Sequence, residues 1–148
     1  MNEKTAVSET LKGASQFAGL SDSVLDEIAG ITVRRNYDEG DSIYSLGDEA
    51  RDIFVVASGR VRFSLGAGNR PGASGSIMTD GQLFGWAALI DDHPRRVATA
   101  SCLENSSVLV IDGSKLLEIF NRDTGAGYRF MRGLAGMIAN NFMDVLSN

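Results

Sequence analysis

Between Ile31 and Ile111 the chain is cut into short β-prone runs by turn residues at intervals of about 8–12 residues. That rhythm confines the middle of the protein to a few all-β cores. The first run, Ile31–Tyr37, is closed by Asp38-Glu39-Gly40-Asp41, and the second, Ser42–Ser45, by Gly47-Asp48. Asp52–Ala57 and Arg60–Leu65 flank Ser58-Gly59, a pair that predicts a tight hairpin. A glycine-rich loop, Gly66–Gly75, precedes Ser76–Thr79, and Val97–Cys102 and Ser107–Ile111 complete the set. Strands so short and regularly spaced pack as a sandwich, a jelly roll or a small barrel.

Helical periodicity brackets this region. Residues 1–7 are polar and read as frayed, and Leu11, Ala14 and Phe17 predict a short helix over Ser8–Phe17. Ser21 is placed to cap a second helix, Asp22–Ala29, which Gly30 ends. Asp112 is placed to cap Ser114–Phe120, and a longer helix follows over Thr124–Leu146. On it Tyr128, Met131, Ala135, Ile138, Phe142 and Val145 form a short heptad seam, while Phe130, Leu134 and Met137 make a second apolar stripe. One stripe is expected to cover the β core and the other to meet a partner helix. The expected fold is α+β: a β-roll or jelly roll of about eight short antiparallel strands, with N-terminal helices and a long C-terminal helix. All 148 residues form one domain, divided as 8–30, 31–112 and 113–148.

Bulk properties narrow the function. A net charge of −5 opposes a nucleic-acid-binding face, which needs clustered Lys and Arg. No apolar run reaches membrane-spanning length, and Met1–Thr10 is too polar for a secretory signal. Cys102, the single cysteine, cannot form an internal disulfide and reads as a buried small hydrophobe. The expected location is the cytoplasm. His93, the single histidine, falls in the turn Asp91-Asp92-His93-Pro94 and reads as a surface residue. One histidine cannot build a multi-His metal site, and no nucleophile–base pair stands out. Neither a metal, a cofactor nor an enzymatic activity is expected.

The chemistry concentrates in residues 84–99. Phe84-Gly85-Trp86-Ala87-Ala88-Leu89-Ile90 places a glycine turn before one helical turn, and Arg95-Arg96-Val97-Ala98-Thr99 follows. A helix start offers unpaired N–H groups and a positive dipole end, and an arginine adds a fork-shaped charge suited to phosphate. With the preceding turns Tyr37-Asp38-Glu39-Gly40-Asp41, Gly47-Asp48 and Ser58-Gly59, this segment resembles the phosphate-binding cassette of the cyclic-nucleotide-binding domain family, in particular the effector domain of catabolite activator proteins. The likeness runs from about Phe17 to about Phe142. It implies that Gly85 allows close backbone approach, that Ala87 and Ala88 supply amides beside small side chains, and that Arg96 pairs with the cyclic phosphate. Arg95 is expected to face solvent.

Trp86 departs from the family pattern. The resemblance puts a glutamate there, accepting a hydrogen bond from the ribose 2′-hydroxyl, whereas an indole has one donor and no acceptor. Losing such a charged hydrogen bond costs about 1.5–3 kcal/mol. Val97 replaces a hydroxyl that favours cGMP in related domains, so cAMP is the favoured ligand over cGMP. The implied site is therefore Gly85, Trp86, Ala87, Ala88, Arg96 and Val97. Related transcription factors dimerise through the long helix and carry a helix-turn-helix domain after it; here the chain stops at Asn148, so a stand-alone module without DNA-binding segment is expected. The reading that follows is a cytoplasmic signalling module that binds a cyclic nucleotide, forms a homodimer through its C-terminal helix and acts on an unknown downstream protein, without nucleic acid or membrane. Two others stay open: a degenerate dimerisation or adaptor scaffold with Trp86 in the sugar site, and a sensor of a different anion using the same cradle.

Overall fold

In a computed structural model the structure describes residues 2–64, 77–90, 92 and 94–147. The expected Gly66–Gly75 loop and His93 lie outside the described residues. Helix α1 spans Glu3–Lys12, so the expected frayed start and a helix from Ser8 need correction. The Asn2 side chain accepts a hydrogen bond from the Thr5 N–H (2.8 Å) and caps the helix, with Glu3 at its positive end. Beyond Gly13 the chain continues in turns, yet Leu11, Ala14, Phe17 and Leu20 all remain buried. Helix α2, Asp22–Gly30, is capped by Ser21 as expected and buries Val24, Leu25 and Ile28.

Eight antiparallel strands among the described residues form two four-stranded sheets. One contains β1 (Thr32–Tyr37), β8 (Ser106–Asp112), β3 (Asp52–Ser58) and β6 (Leu83–Phe84), in that order. The other contains β2 (Ser42–Tyr44), β7 (Thr99–Cys102), β4 (Val61–Ser64) and β5 (Ile77–Met78). This is the expected jelly roll. The expected Ser58-Gly59 hairpin is not formed, because β3 and β4 belong to different sheets. Gly59, at φ +121°, turns the chain across the edge, and a Cβ there would collide with the Ser106 side chain. That crowding follows from the Ser106 hydroxyl accepting the Arg60 N–H at 3.2 Å.

The central strands are apolar on both faces because two cores meet across them. On β3 and β8, Ile53, Val55, Leu109 and Ile111 face a helical cluster, while Phe54, Val56, Val108 and Val110 face the second sheet. Period-two alternation thus explains why Ile53-Phe54-Val55-Val56 reads as an unbroken run. Helix α3 (Gly113–Arg122) is capped by Asp112, and α4 (Thr124–Ser147) follows it. A Cβ on Gly127 would lie 2.8 Å from Phe120 Cβ, so glycine permits the close α3–α4 approach. Phe130 of α4 packs 5.0 Å from both Phe17 and Phe120. The stripe Phe130–Leu134–Met137 therefore covers the helical cluster and the outer face of one sheet rather than the space between the sheets. Seam residues Tyr128 and Phe142 are 64% and 60% exposed, Met131 and Ile138 are partly buried, and the Val145 side chain is outside the description.

Candidate functional site

Gly85 ends β6 in the left-handed region (φ +78°) and starts a single 3-10 turn, Trp86–Leu89. Its conformation suits glycine, and so does its packing: a Cβ would stand 2.6 Å from Phe54 Cδ2 and 3.1 Å from Arg96 Nη1. The first bond of the turn runs from the Ala88 N–H to the Gly85 carbonyl (3.5 Å), leaving the Trp86 and Ala87 amides ahead of it.

Arg96 reaches the same carbonyl from the other side. Its backbone is held by the Gly47-Asp48 turn, donating to the Asp48 carbonyl (2.8 Å) and accepting from the Gly47 N–H (2.9 Å). Neighbours on an extended segment point to opposite sides, so Arg95 and Val97 are exposed while Arg96 turns inward with 5% of its surface accessible. Its Nη1 donates to the Gly85 carbonyl (2.9 Å) and its Nη2 to the Asp52 carbonyl (2.8 Å). The guanidinium lies 4.2 Å from the Tyr44 ring centre and 5.4 Å from that of Phe54. Phe54 stacks on Phe84 at 5.0 Å, closing the wall.

Among the described residues no carboxylate forms an ion pair with Arg96, and its Nε is buried without a hydrogen-bond partner. Burial lowers the guanidinium pKa, with Tyr44, Asp52 and Asp48 acting against that shift. The Tyr44 phenol is pushed up to about 12 by burial, Arg96 pulling it the other way. A buried cation with one donor unmet forfeits several kcal/mol of hydration that two carbonyls recover only in part. An anion next to it would recover more.

The structure joins Gly85 and Arg96, 11 positions apart. Trp86 is half-buried against the helical cluster, and is not part of the aromatic group between the sheets. Ala88 also packs on the helical side, its Cβ 3.4 Å from where a Gly113 Cβ would stand. Ala87 is half-exposed on the turn, and Val97 is 58% exposed. Cys102 is buried, as its apolar neighbours suggested. Sequence reasoning missed Tyr44, Phe54 and the Asp52 carbonyl. Tyr44 and Phe54 sit at inward positions of their strands, a signal that alternation carries once strand partners are known. No group of three or more His, Cys, Asp or Glu among the described residues could hold a metal.

A jelly roll carrying a left-handed glycine, a 3-10 turn and an inward arginine defines a class of ligand-binding regulatory domains. The chain belongs to the cyclic-nucleotide-binding domain family, whose model matches residues 34–123. It is 30% identical over 116 residues to the cyclic AMP receptor protein of Thermus thermophilus, covering 76% of this chain and 48% of that protein. It is 28% identical over 131 residues to human cGMP-dependent protein kinase 2, covering 88% of this chain and 17% of the kinase. The structure superposes on the catabolite activator protein of Thermus thermophilus with a TM-score of 0.73 and 28% identity, covering 90% of this chain and 63% of that one. The chain thus spans half or less of these curated relatives, and the shared part is a regulatory domain of catabolite-activator type. No helix among the described residues is long and apolar enough to cross a membrane.

Proposed function

We propose that this domain is a regulatory module that binds a cyclic nucleotide, cAMP in preference to cGMP, and signals by repositioning α4. The observation that carries the reading is the buried Arg96 guanidinium, without an ion pair among the described residues, against the Gly85 carbonyl at the start of a turn whose first amides lie ahead of its first hydrogen bond. In this reading Arg96 and the Trp86 and Ala87 amides hold the cyclic phosphate, Gly85 lets the backbone approach, and Val97 offers no hydroxyl to a guanine. Trp86 supplies no acceptor for the ribose hydroxyl, so affinity is expected below that of a glutamate-bearing site by about ten- to a hundredfold. Ligand shifts the population of α4 positions by contacting one better than another. The α4 seam with Tyr128 and Phe142 exposed supports a homodimer, and the downstream partner is a protein.

The test is a titration of cAMP and of cGMP, followed by the fluorescence of Trp86, the only tryptophan, and by calorimetry. Saturable binding, tighter for cAMP and lost in Arg96→Ala, supports the reading; no binding at millimolar ligand refutes it. A scaffold that binds no ligand is the second reading. It draws on the Tyr44, Phe54 and Phe84 rings that crowd the space beside Arg96, although Trp86 does not sit among them.

A further inference from the structure

Strand β2 carries an irregularity that governs where Tyr44 points. Its Ser42 lies opposite Ser101 of β7, yet Tyr44, two residues on, lies opposite Ala100, only one residue back. Two residues of β2 thus match one step of β7, the count of a β-bulge, which bends a strand and re-aims a side chain. In an unbroken register Tyr44 would face Thr99, a half-buried residue whose hydroxyl accepts the Leu46 N–H (2.9 Å). Residues directly opposite one another share a face of the sheet. The shift therefore places Tyr44 beside Ala100, which is fully buried between the sheets, and the Tyr44 ring packs against that cluster.

There the ring meets Arg96. The guanidinium carbon stands 4.2 Å from the centre of the Tyr44 ring, on the second sheet, and 5.4 Å from that of Phe54, on the first. Two kinds of constraint act on this side chain. The bonds from Nη1 to the Gly85 carbonyl (2.9 Å) and from Nη2 to the Asp52 carbonyl (2.8 Å) fix the rotation of the guanidinium within its plane. A ring face fixes the plane itself, because a planar guanidinium stacks on aromatic rings. It also attracts the cation through its quadrupole while carrying no net charge. A carboxylate in that place would hold the group as well, but would cancel the charge that draws an anion. Burial pushes the Tyr44 phenol up to about 12, so the ring stays neutral at physiological pH.

We propose that Tyr44 is a positioning residue for Arg96: the bulge in β2 lays its ring on the guanidinium, which orients the fork and leaves its charge available to an anion. Tyr44 acts through Arg96, and its hydroxyl has no part in the clamp. Phe54 forms the second, more distant wall. The proposal rests on the reading of Arg96 as the anion-binding group, and its first test needs no ligand.

The probe is the Arg96 side chain itself, observed by NMR in the isotope-labelled full chain without ligand. Stacking on a ring shields the guanidinium protons and slows rotation about Nε–Cζ, so resolved, upfield-shifted Nη protons are expected for Arg96. Tyr44→Ile, which keeps a β-prone residue on β2, is expected to average these signals and return them to free-arginine values, whereas Tyr44→Phe retains both features. Titration with cAMP reads the consequence. Affinity is expected to fall by about five- to thirtyfold in Tyr44→Ile and by less than about twofold in Tyr44→Phe. Unshifted Arg96 protons in the parent overturn the proposal, and that spectrum decides it even where Tyr44→Ile does not fold. Undiminished affinity in Tyr44→Ile overturns it too, as do equal losses in the two variants, which would assign the effect to the hydroxyl. Shifted protons without any binding of cAMP by the parent keep Tyr44 as the clamp and count against the cyclic-nucleotide reading alone.

Discussion

Arg96→Met separates a ligand-binding arginine from a structural one. In the ligand-free domain the guanidinium gains two charge-assisted hydrogen bonds, to the Gly85 and Asp52 carbonyls, together about 3–6 kcal/mol. Its stacking on Tyr44 at 4.2 Å adds up to about 2 kcal/mol. Against these stand a desolvation penalty of several kcal/mol and about 1–3 kcal/mol for the unmet Nε donor. The terms nearly cancel. Methionine has no charge to desolvate and a sulfur suited to the Tyr44 and Phe54 rings, and the Gly85 carbonyl keeps the Ala88 N–H. The variant is therefore expected within about 1 kcal/mol of the parent in urea denaturation without ligand. With ligand the two should part: hundredfold excess of cAMP over Kd stabilises the parent by about 2.7 kcal/mol and the variant not at all. A loss above about 3 kcal/mol in the ligand-free variant would refute the argument and make Arg96 a structural pin between β3 and the cassette. If the variant is stable and the parent gains nothing from cAMP or cGMP, the arginine argument survives and the cyclic-nucleotide reading fails.

Gly85→Ala forces a side chain into φ +78° and 2.6 Å from Phe54, so a loss of about 2–5 kcal/mol is expected by denaturation; a change under 1 kcal/mol would show that the turn relaxes freely. On α4, Gly136→Ala is expected to raise stability by about 1 kcal/mol, whereas Gly127→Ala, facing Phe120 at 2.8 Å, is expected to lower it; equal effects in thermal melts would contradict this packing. Asp112 is held below the ordinary aspartate value of 3.8, chiefly by the Lys115 N–H and further by Ser114. Its contribution is full above 3.8 and lost as pH falls through the lowered folded value. Asp112→Ala should thus cost about 1 kcal/mol at neutral pH, a difference from the parent that shrinks in acid; a difference independent of pH would place the effect elsewhere.

Much of the fold was legible because its determinants are local. Ser21 and Asp112 cap helices by bonds to N–H groups three residues on, and turn glycines such as Gly40 and Gly47 have positive φ whatever surrounds them. Gly85 and Arg96 could be singled out because they fall on the motif that the family resemblance carries, and the structure turns Arg96 inward between exposed neighbours. The start of α1 was misread because the Asn2 cap lies outside the apolar period. The pairing of β3 was misread because Ser58-Gly59 has the local chemistry of a hairpin, while β3 pairs with β8 and β6, far along the chain. Which face of β3 meets helices, that Trp86 packs with the helices, and that Arg96 has no carboxylate ion pair among the described residues all depend on contacts between distant segments. Sequence alone determined most of the elements and the Gly85 turn, since hydrogen-bond reach and side-chain period are short-range. Tertiary structure alone decided how a buried charge is solvated and which stripe of α4 is covered, because burial is a property of the packed layers and not of any one segment.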